Sequence, residues 1–187
     1  MNSSVLTSAF ALEVQQEIRD AVREIPDFPK PGILFKDITP ILLQPQLCKR
    51  LIRLLCEVHE AHKPDLIAGV ESRGFLFGFA VASELGLPFA LIRKAGKLPG
   101  NKISASYELE YGQAVIELHD DVLHQGMKVA IHDDLLATGG TAEAAARLIK
   151  SCGAEVNMFS FLIGLDFLMG EQMLQKHSEN VLILARF

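Results

Sequence analysis

The chain has 187 residues, 49% of them hydrophobic and 22% charged, which suits one folded domain with a proper core. A formal net charge of −5 speaks against nucleic acid as the main partner, because a duplex binder carries a basic excess. The longest apolar stretch, GFLFGFAVAS, is too short to span a membrane, and Cys48, Cys56 and Cys152 lack metal-type spacing and read as reduced thiols of a cytoplasmic core.

The N-terminal stretch MNSSVLTSAFALEV has no Lys or Arg ahead of its apolar part, so a cleaved signal peptide is not expected. AFALEVQQEIRDAVREI has helical apolar spacing and predicts a first helix over about Phe10–Arg23. PDFPKPG breaks it, and the short extended piece ILF follows. QLCKRLIRLLCEVHEAHK is a second amphipathic helix. DLIAGVE reads as a buried strand, GFLFGFAVASEL as a packed helix and LPFALIRK as the next strand. Ala95–Ser106 is polar with glycine and proline and reads as a long loop. SYELEYGQAVIEL places the turn Tyr111-Gly112 between two extended runs, a hairpin pattern. KVAIH is a buried strand, TAEAAARLIKSC a helix, and EVNMFSFLIGL and NVLILARF are strands.

Strand and helix alternate from Asp65 onward. This predicts an α/β fold with a mostly parallel sheet flanked by helices. Ligands of such sheets bind at the carboxyl ends of the strands. The residues just after LIAGVE, ALIRK and VAIHDD should therefore meet around one crevice.

At the end of VAIHDD stand two carboxylates, Asp133 and Asp134. Neighbouring strand residues point to opposite faces, so both can serve one ligand only if the strand ends there. Ala137, Thr138, Gly139, Gly140 and Thr141 follow, just before a helix. Glycines admit close approach of backbone N–H groups, the helix start adds partial positive charge, and two threonines can donate hydroxyls. That is a phosphate cradle. Carboxylates suit sugar hydroxyls. A sugar phosphate satisfies both demands, whereas a capped helix behind an acidic loop would explain the turn alone.

The whole string resembles the phosphoribosyl-diphosphate signature of type I phosphoribosyltransferases. His132 departs from it, standing where an apolar residue is common, and reads as a strand residue with a satisfied hydrogen bond. FPKPGILFKDITPIL, AGVESRGFLFG, LIRKAGKLPG and SYELEYG are similar to the branch of that family that acts on adenine, over about Phe28–Leu165. The resemblance implies one domain over residues 1–187, with a hood and base-binding segment over about 1–42 and a flexible lid loop over Ala95–Tyr111. It implies transfer of the 5-phosphoribosyl group from phosphoribosyl diphosphate to adenine, giving AMP and pyrophosphate in purine salvage. It also implies Mg²⁺ on the pyrophosphate and ribose with no protein ligand assigned, a cytoplasmic location and a homodimer.

By the same resemblance Arg73 and Lys94 hold the pyrophosphate, and Lys97 belongs to the mobile loop. Arg73 has a physical case of its own, since a guanidinium between a strand end and a helix start can grip a phosphate with two bonds. Ala95 replaces a residue that is often Pro or Arg. Phe35 is the aromatic that stacks on adenine, with Leu34 and Lys36 supplying backbone polar groups and packing. Glu110 is the catalytic glutamate, with Asp133 and Asp134 holding the ribose near the developing charge. The Glu71–Ser72 peptide is expected to be cis.

Two rivals remain in view. A regulator that senses the same ligands would normally carry a DNA-binding segment, and no recognition helix accompanies the first helix. A hypoxanthine or guanine transferase is disfavoured by PGILFKD and SYELEYG. No G-x-G-x-x-G follows a strand and no G-x-x-x-x-G-K-[ST] is present, which speaks against a dinucleotide enzyme or a nucleotide triphosphatase.

Overall fold

The computed structural model describes residues 3–108 and 113–187. Two short helices come first, α1 (Ser3–Leu6) and α2 (Ala9–Ala21). Ser8 caps α2 by accepting the Ala11 N–H at 3.2 Å. Ala11, Val14 and Ile18 recur at helical spacing and are fully buried. The helix stops two residues short of the expected Arg23, because Arg23 opens strand β1 (Arg23–Pro26). There it pairs with Asp37 of β2 (Leu34–Asp37), both in the antiparallel register and through its guanidinium at 2.5 Å. The Asp37 carboxylate also accepts the Thr39 N–H at 2.9 Å at the start of α3 (Thr39–Leu42).

Helix α4 (Pro45–His62) buries Leu47, Leu51, Leu54, Leu55 and Val58 along one stripe. It then turns at Lys63, whose φ is +52°. Strand β3 (Leu66–Val70) is buried throughout. It is followed by α5 (Gly74–Leu85), β4 (Phe89–Lys94), β5 (Lys102–Glu108), β6 (Gln113–His119), β7 (Lys128–Leu136), α6 (Gly140–Ser151) and β8 (Glu155–Gly164). A 3₁₀ turn over Asp166–Leu168, α7 (Gly170–Leu174) and β9 (Val181–Arg186) complete the described chain.

The main sheet has the order β5-β6-β4-β3-β7-β8-β9. From β4 to β9 the pairings are parallel, while β6 runs antiparallel to both β4 and β5. Alternation sorts its side chains into two cores. Leu66, Ala68, Val129 and Ile131 meet the alanines of α6, whereas Ile67 and Ala130 meet α2, α4 and α5. Helices on both faces are the arrangement that the strand–helix alternation requires.

Two expectations need correction. The stretch Ala95–Ser106 is not a loop throughout. Lys102–Glu108 pairs residue for residue with β6, from Lys102 opposite His119 to Glu108 opposite Gln113. Ile103, Ala105 and Tyr107 pack onto the α6 core while Lys102, Ser104 and Ser106 face outward, a half-buried strand hidden behind the Gly-Pro composition of its neighbour. Much of the stretch expected to form the lid is therefore strand, and Leu109–Gly112 lie outside the described residues. Strand β7 also continues through Asp133 and Asp134 to Leu136, where the sequence suggested an ending. Its partner β8 stays paired that far, so nothing frees the backbone earlier.

Candidate active site

Three strand ends converge. After β3 come Glu71, Ser72 and Arg73, with the Glu71–Ser72 peptide cis. Helix α5 then starts at Gly74, where a Cβ would stand 2.7 Å from the His132 carbonyl and 3.0 Å from the Asp133 Cα. Only glycine lets α5 lie that close to β7. This contact delivers Arg73 to the acidic pair, and its Nε donates to Asp134 Oδ2 at 2.6 Å. The Asp133 Oδ1 accepts the Asp134 N–H at 2.8 Å. Burial, and then the Asp134 carboxylate beside it, push the Asp133 carboxyl well above the usual range.

No role for the side chains of Glu71 and Arg93 was read from the sequence. The Glu71 carboxylate accepts the Lys94 N–H at 2.9 Å and two guanidinium N–H groups of Arg93 at 3.3 Å. Arg93 also donates to the Lys97 carbonyl at 3.0 Å. Burial pushes Glu71 up, but the Lys94 amide and the Arg93 guanidinium outweigh it and hold its carboxyl below the usual range. This clamp fixes the loop after β3 to the end of β4. Opposite charges at the ends of two adjoining strands, in VESR and LIRK, were the available signal.

The cradle is closed from behind. Gly139 has φ +88°, and a Cβ there would stand 2.9 Å from the Gly170 carbonyl. A Cβ on Gly170 would stand 2.2 Å from the Ala137 carbonyl and 3.0 Å from the Gly139 nitrogen. The turn and the start of α7 thus meet backbone to backbone. Gly140 opens the 12-residue helix α6, and its first residues, Gly140 and Thr141, border the crevice, where a helix start favours an anion.

A cavity of about 390 Å³ is lined by Glu71, Ser72, Arg73, Lys94, Asp133, Asp134, Ala137, Thr138, Gly139, Gly140 and Thr141, among others. It gathers most of the expected residues, and both acids reach it although the strand continues. Lys97 is absent from this lining. Leu34, Phe35 and Lys36 are absent from it as well, and Phe35 reaches it only through Arg73. The Phe35 ring has the Phe28 ring edge-on at 5.1 Å and the Arg73 guanidinium at 5.8 Å. Leu34 is exposed. The Lys36 side chain turns away from the cavity, to Glu24 and Phe187. Glu110 and Tyr111 lie outside the described residues. Among the described residues no group of three or more His, Cys, Asp or Glu stands ready to hold a metal.

The start of α6, two acids near the end of β7 and an arginine after β3 thus meet in one crevice on a mostly parallel sheet covered on both faces. Residues 38–167 match the phosphoribosyl transferase domain family. The adenine phosphoribosyltransferase of Cytophaga hutchinsonii is 48% identical over 174 residues, covering 93% of this chain and 96% of that protein. The crystal structure of adenine phosphoribosyltransferase from Thermoanaerobacter pseudethanolicus has a TM-score of 0.88 at 47% identity, covering 92% of this chain and 99% of that one. That from Saccharomyces cerevisiae, complexed with adenine and an imino-altritol bisphosphate, has a TM-score of 0.87 at 41% identity, again covering 92% and 99%. The chain belongs to the adenine phosphoribosyltransferase family.

Proposed function

We propose that this protein transfers the 5-phosphoribosyl group of phosphoribosyl diphosphate to adenine, forming AMP and releasing pyrophosphate. One observation carries the reading: a single cavity holds Arg73 and Lys94, Asp133 and Asp134, and the Ala137–Thr141 cradle together. Each group answers one part of the substrate. Breaking the C1–oxygen bond builds positive charge on the ribose, as in glycoside cleavage. Arg73 and Lys94 take up the charge of the departing pyrophosphate. Asp133 and Asp134 hold the ribose hydroxyls beside the cationic ring. The cradle grips the 5′-phosphate and spends that remote binding on alignment. Phe35 stacks on the base, with Leu34 and Lys36 presenting backbone groups beside it. Lys97 and the β5–β6 hairpin cover the site, and Glu110 assists proton movement as N9 of adenine attacks.

Mg²⁺ prefers substrate phosphates and water with one or two carboxylates, and an acidic, open cavity without a closed ligand cage suits an ion that arrives on the substrate. Bound there, it would neutralise the leaving group. The working form is a homodimer. Leu76 and Phe79 of α5 are 47% and 61% exposed, and Leu91 on the same side of β4 is 40% exposed, an apolar face fit for a second copy. Among the described residues no helix is long and apolar enough to cross a membrane, and we place the activity in cytoplasmic purine salvage.

Product analysis tests the reading. With adenine, phosphoribosyl diphosphate and Mg²⁺ the protein should yield AMP and pyrophosphate, and guanine and hypoxanthine should be refused. A site built to pair the amino group of adenine leaves buried groups unpaired against a carbonyl. No AMP, or equal turnover of guanine, would overturn it.

A further inference from the structure

The residues proposed to bind adenine lie on a ribbon that belongs to no larger sheet. Among the described residues, strands β1 and β2 pair only with each other, over four residues each. A two-stranded ribbon is marginal by itself. Its distance from the cavity therefore depends on what it touches.

Lys36 makes one such contact. It lies in β2 with its side chain only 10% exposed. Its ammonium forms an ion pair with Glu24, its register partner across the ribbon. On the other side it stands 4.5 Å over the Phe187 ring. Phe187 is fixed to the body of the protein. Its N–H donates to the Gly164 carbonyl at 2.9 Å, and its main-chain oxygen accepts the Asp166 N–H at 3.0 Å. Its ring packs against the core beneath α2 and α4. The cation that reaches the ribbon from the strand ends, Arg73 over Phe35, is already engaged by Asp134 and, on the reading above, must serve the substrate. It cannot also be the fixed anchor.

We propose that Phe187 is a positioning residue for the base site: its ring face, through the Lys36 ammonium, holds β2 and with it Phe35 at a set distance from the strand ends. The idea rests on the adenine reading above. It requires an aromatic ring and not merely bulk, because only the negative face of a π system attracts the ammonium. Leucine would fill much of the volume and lose that attraction. Tyrosine would keep it.

Hydrogen exchange of the β2 amides and steady-state kinetics with each substrate varied would test this on the full chain. Phe187→Leu should speed exchange at Phe35–Asp37 and raise KM for adenine about fivefold, the worth of one partly desolvated cation–π contact. KM for phosphoribosyl diphosphate and kcat should stay within about twofold, because the cradle is elsewhere. Phe187→Tyr should keep exchange and both KM values near those of the parent. Lys36→Met should match Phe187→Leu, and the double variant should add little to either, since both remove one contact. Unchanged β2 exchange in Phe187→Leu, an equal rise in both KM values, or a tyrosine variant as damaged as the leucine one would overturn the proposal. Failure of the parent protein to make AMP would sink the adenine reading alone, and the exchange comparison would still decide whether Phe187 anchors the ribbon.

Discussion

Asp133 and Asp134 share a cavity with one guanidinium between them, and Asp133 carries the strain of that arrangement. Its carboxyl is raised well above the usual range by burial and by Asp134. The folded protein therefore keeps a proton on Asp133 that the unfolded chain gives up near pH 4. As pH rises from there toward the folded value, the unfolded chain ionises first and stability is lost. Asp133→Asn should thus melt a few degrees higher at pH 7, with the gain vanishing near pH 4, while turnover falls on the order of 10²-fold. Thermal melts across that range beside steady-state rates would show whether the two effects separate.

His132, the departure from the family pattern, has its own logic. Its Nδ1 is 2.8 Å from Ser160 Oγ, which is 3.3 Å from His59 Nε2, and His59 Nδ1 is 2.7 Å from the Leu55 carbonyl. A carbonyl only accepts, so His59 Nδ1 carries the hydrogen. The Ser160 hydroxyl then donates to His59 Nε2 and accepts from His132 Nδ1–H. That leaves the His132 Nε2 a buried acceptor with no partner. Burial lowers His132 to about 3 and His59 to about 4. Both stay neutral when folded and take a proton when unfolded, so stability falls as pH drops from about 6.5 toward 4. His132→Leu should flatten this acid limb by up to about 1.4 kcal/mol per pH unit. Urea midpoints at several pH values would reveal it, and parallel slopes would mean that His132 is not held neutral. The sequence reading of His132 as a hydrogen-bonded strand residue holds for Nδ1 and not for Nε2, and the partners were not legible, because Ser160 and His59 are distant in the chain.

At the scale of elements, the periodic ones were legible and the short ones were not. α4, α5, α6, β3 and β8 bury regular apolar patterns, and their boundaries match the sequence closely, whereas β7 overruns its apolar run through the two acids. β1 spans four residues next to a proline-rich break and has no such stripe. β5 alternates well but follows Leu98-Pro99-Gly100, whose composition dominated the reading. α7 was missed for a different reason: its role is a backbone contact. Gly170 has room for no side chain against the Ala137 carbonyl. Gly170→Ala should push the cradle outward and raise KM for phosphoribosyl diphosphate on the order of tenfold, with KM for adenine nearly unchanged. A variant with both constants at parental values would show that the cradle tolerates displacement.

For the whole molecule, the apolar face of α5 and β4 adjoins the loop that carries Arg73. Phe79 crosses the Phe89 ring at 5.8 Å and still projects outward. Phe79→Glu should leave the fold intact and shift the protein toward monomer, because an unpaired charge would be buried in the contact. Sedimentation at several concentrations would measure this. A parent already monomeric at micromolar concentration would remove the dimer from the account. No helical or strand period could mark this face, since exposure of Leu76, Phe79 and Leu91 becomes visible only once the helix is laid on the sheet.

The Arg73–Asp134 pair has a last consequence. Ahead of the reaction, the group that should meet the pyrophosphate neutralises a group that should meet the ribose. A bare anion that takes Arg73 strands a buried carboxylate, and a bare sugar that takes Asp134 leaves a guanidinium unanswered. Only a molecule that brings both parts at once repairs both losses. On the proposed reading the site acts as a conjunction, and phosphate and sugar joined in one molecule should bind far more tightly than either part alone.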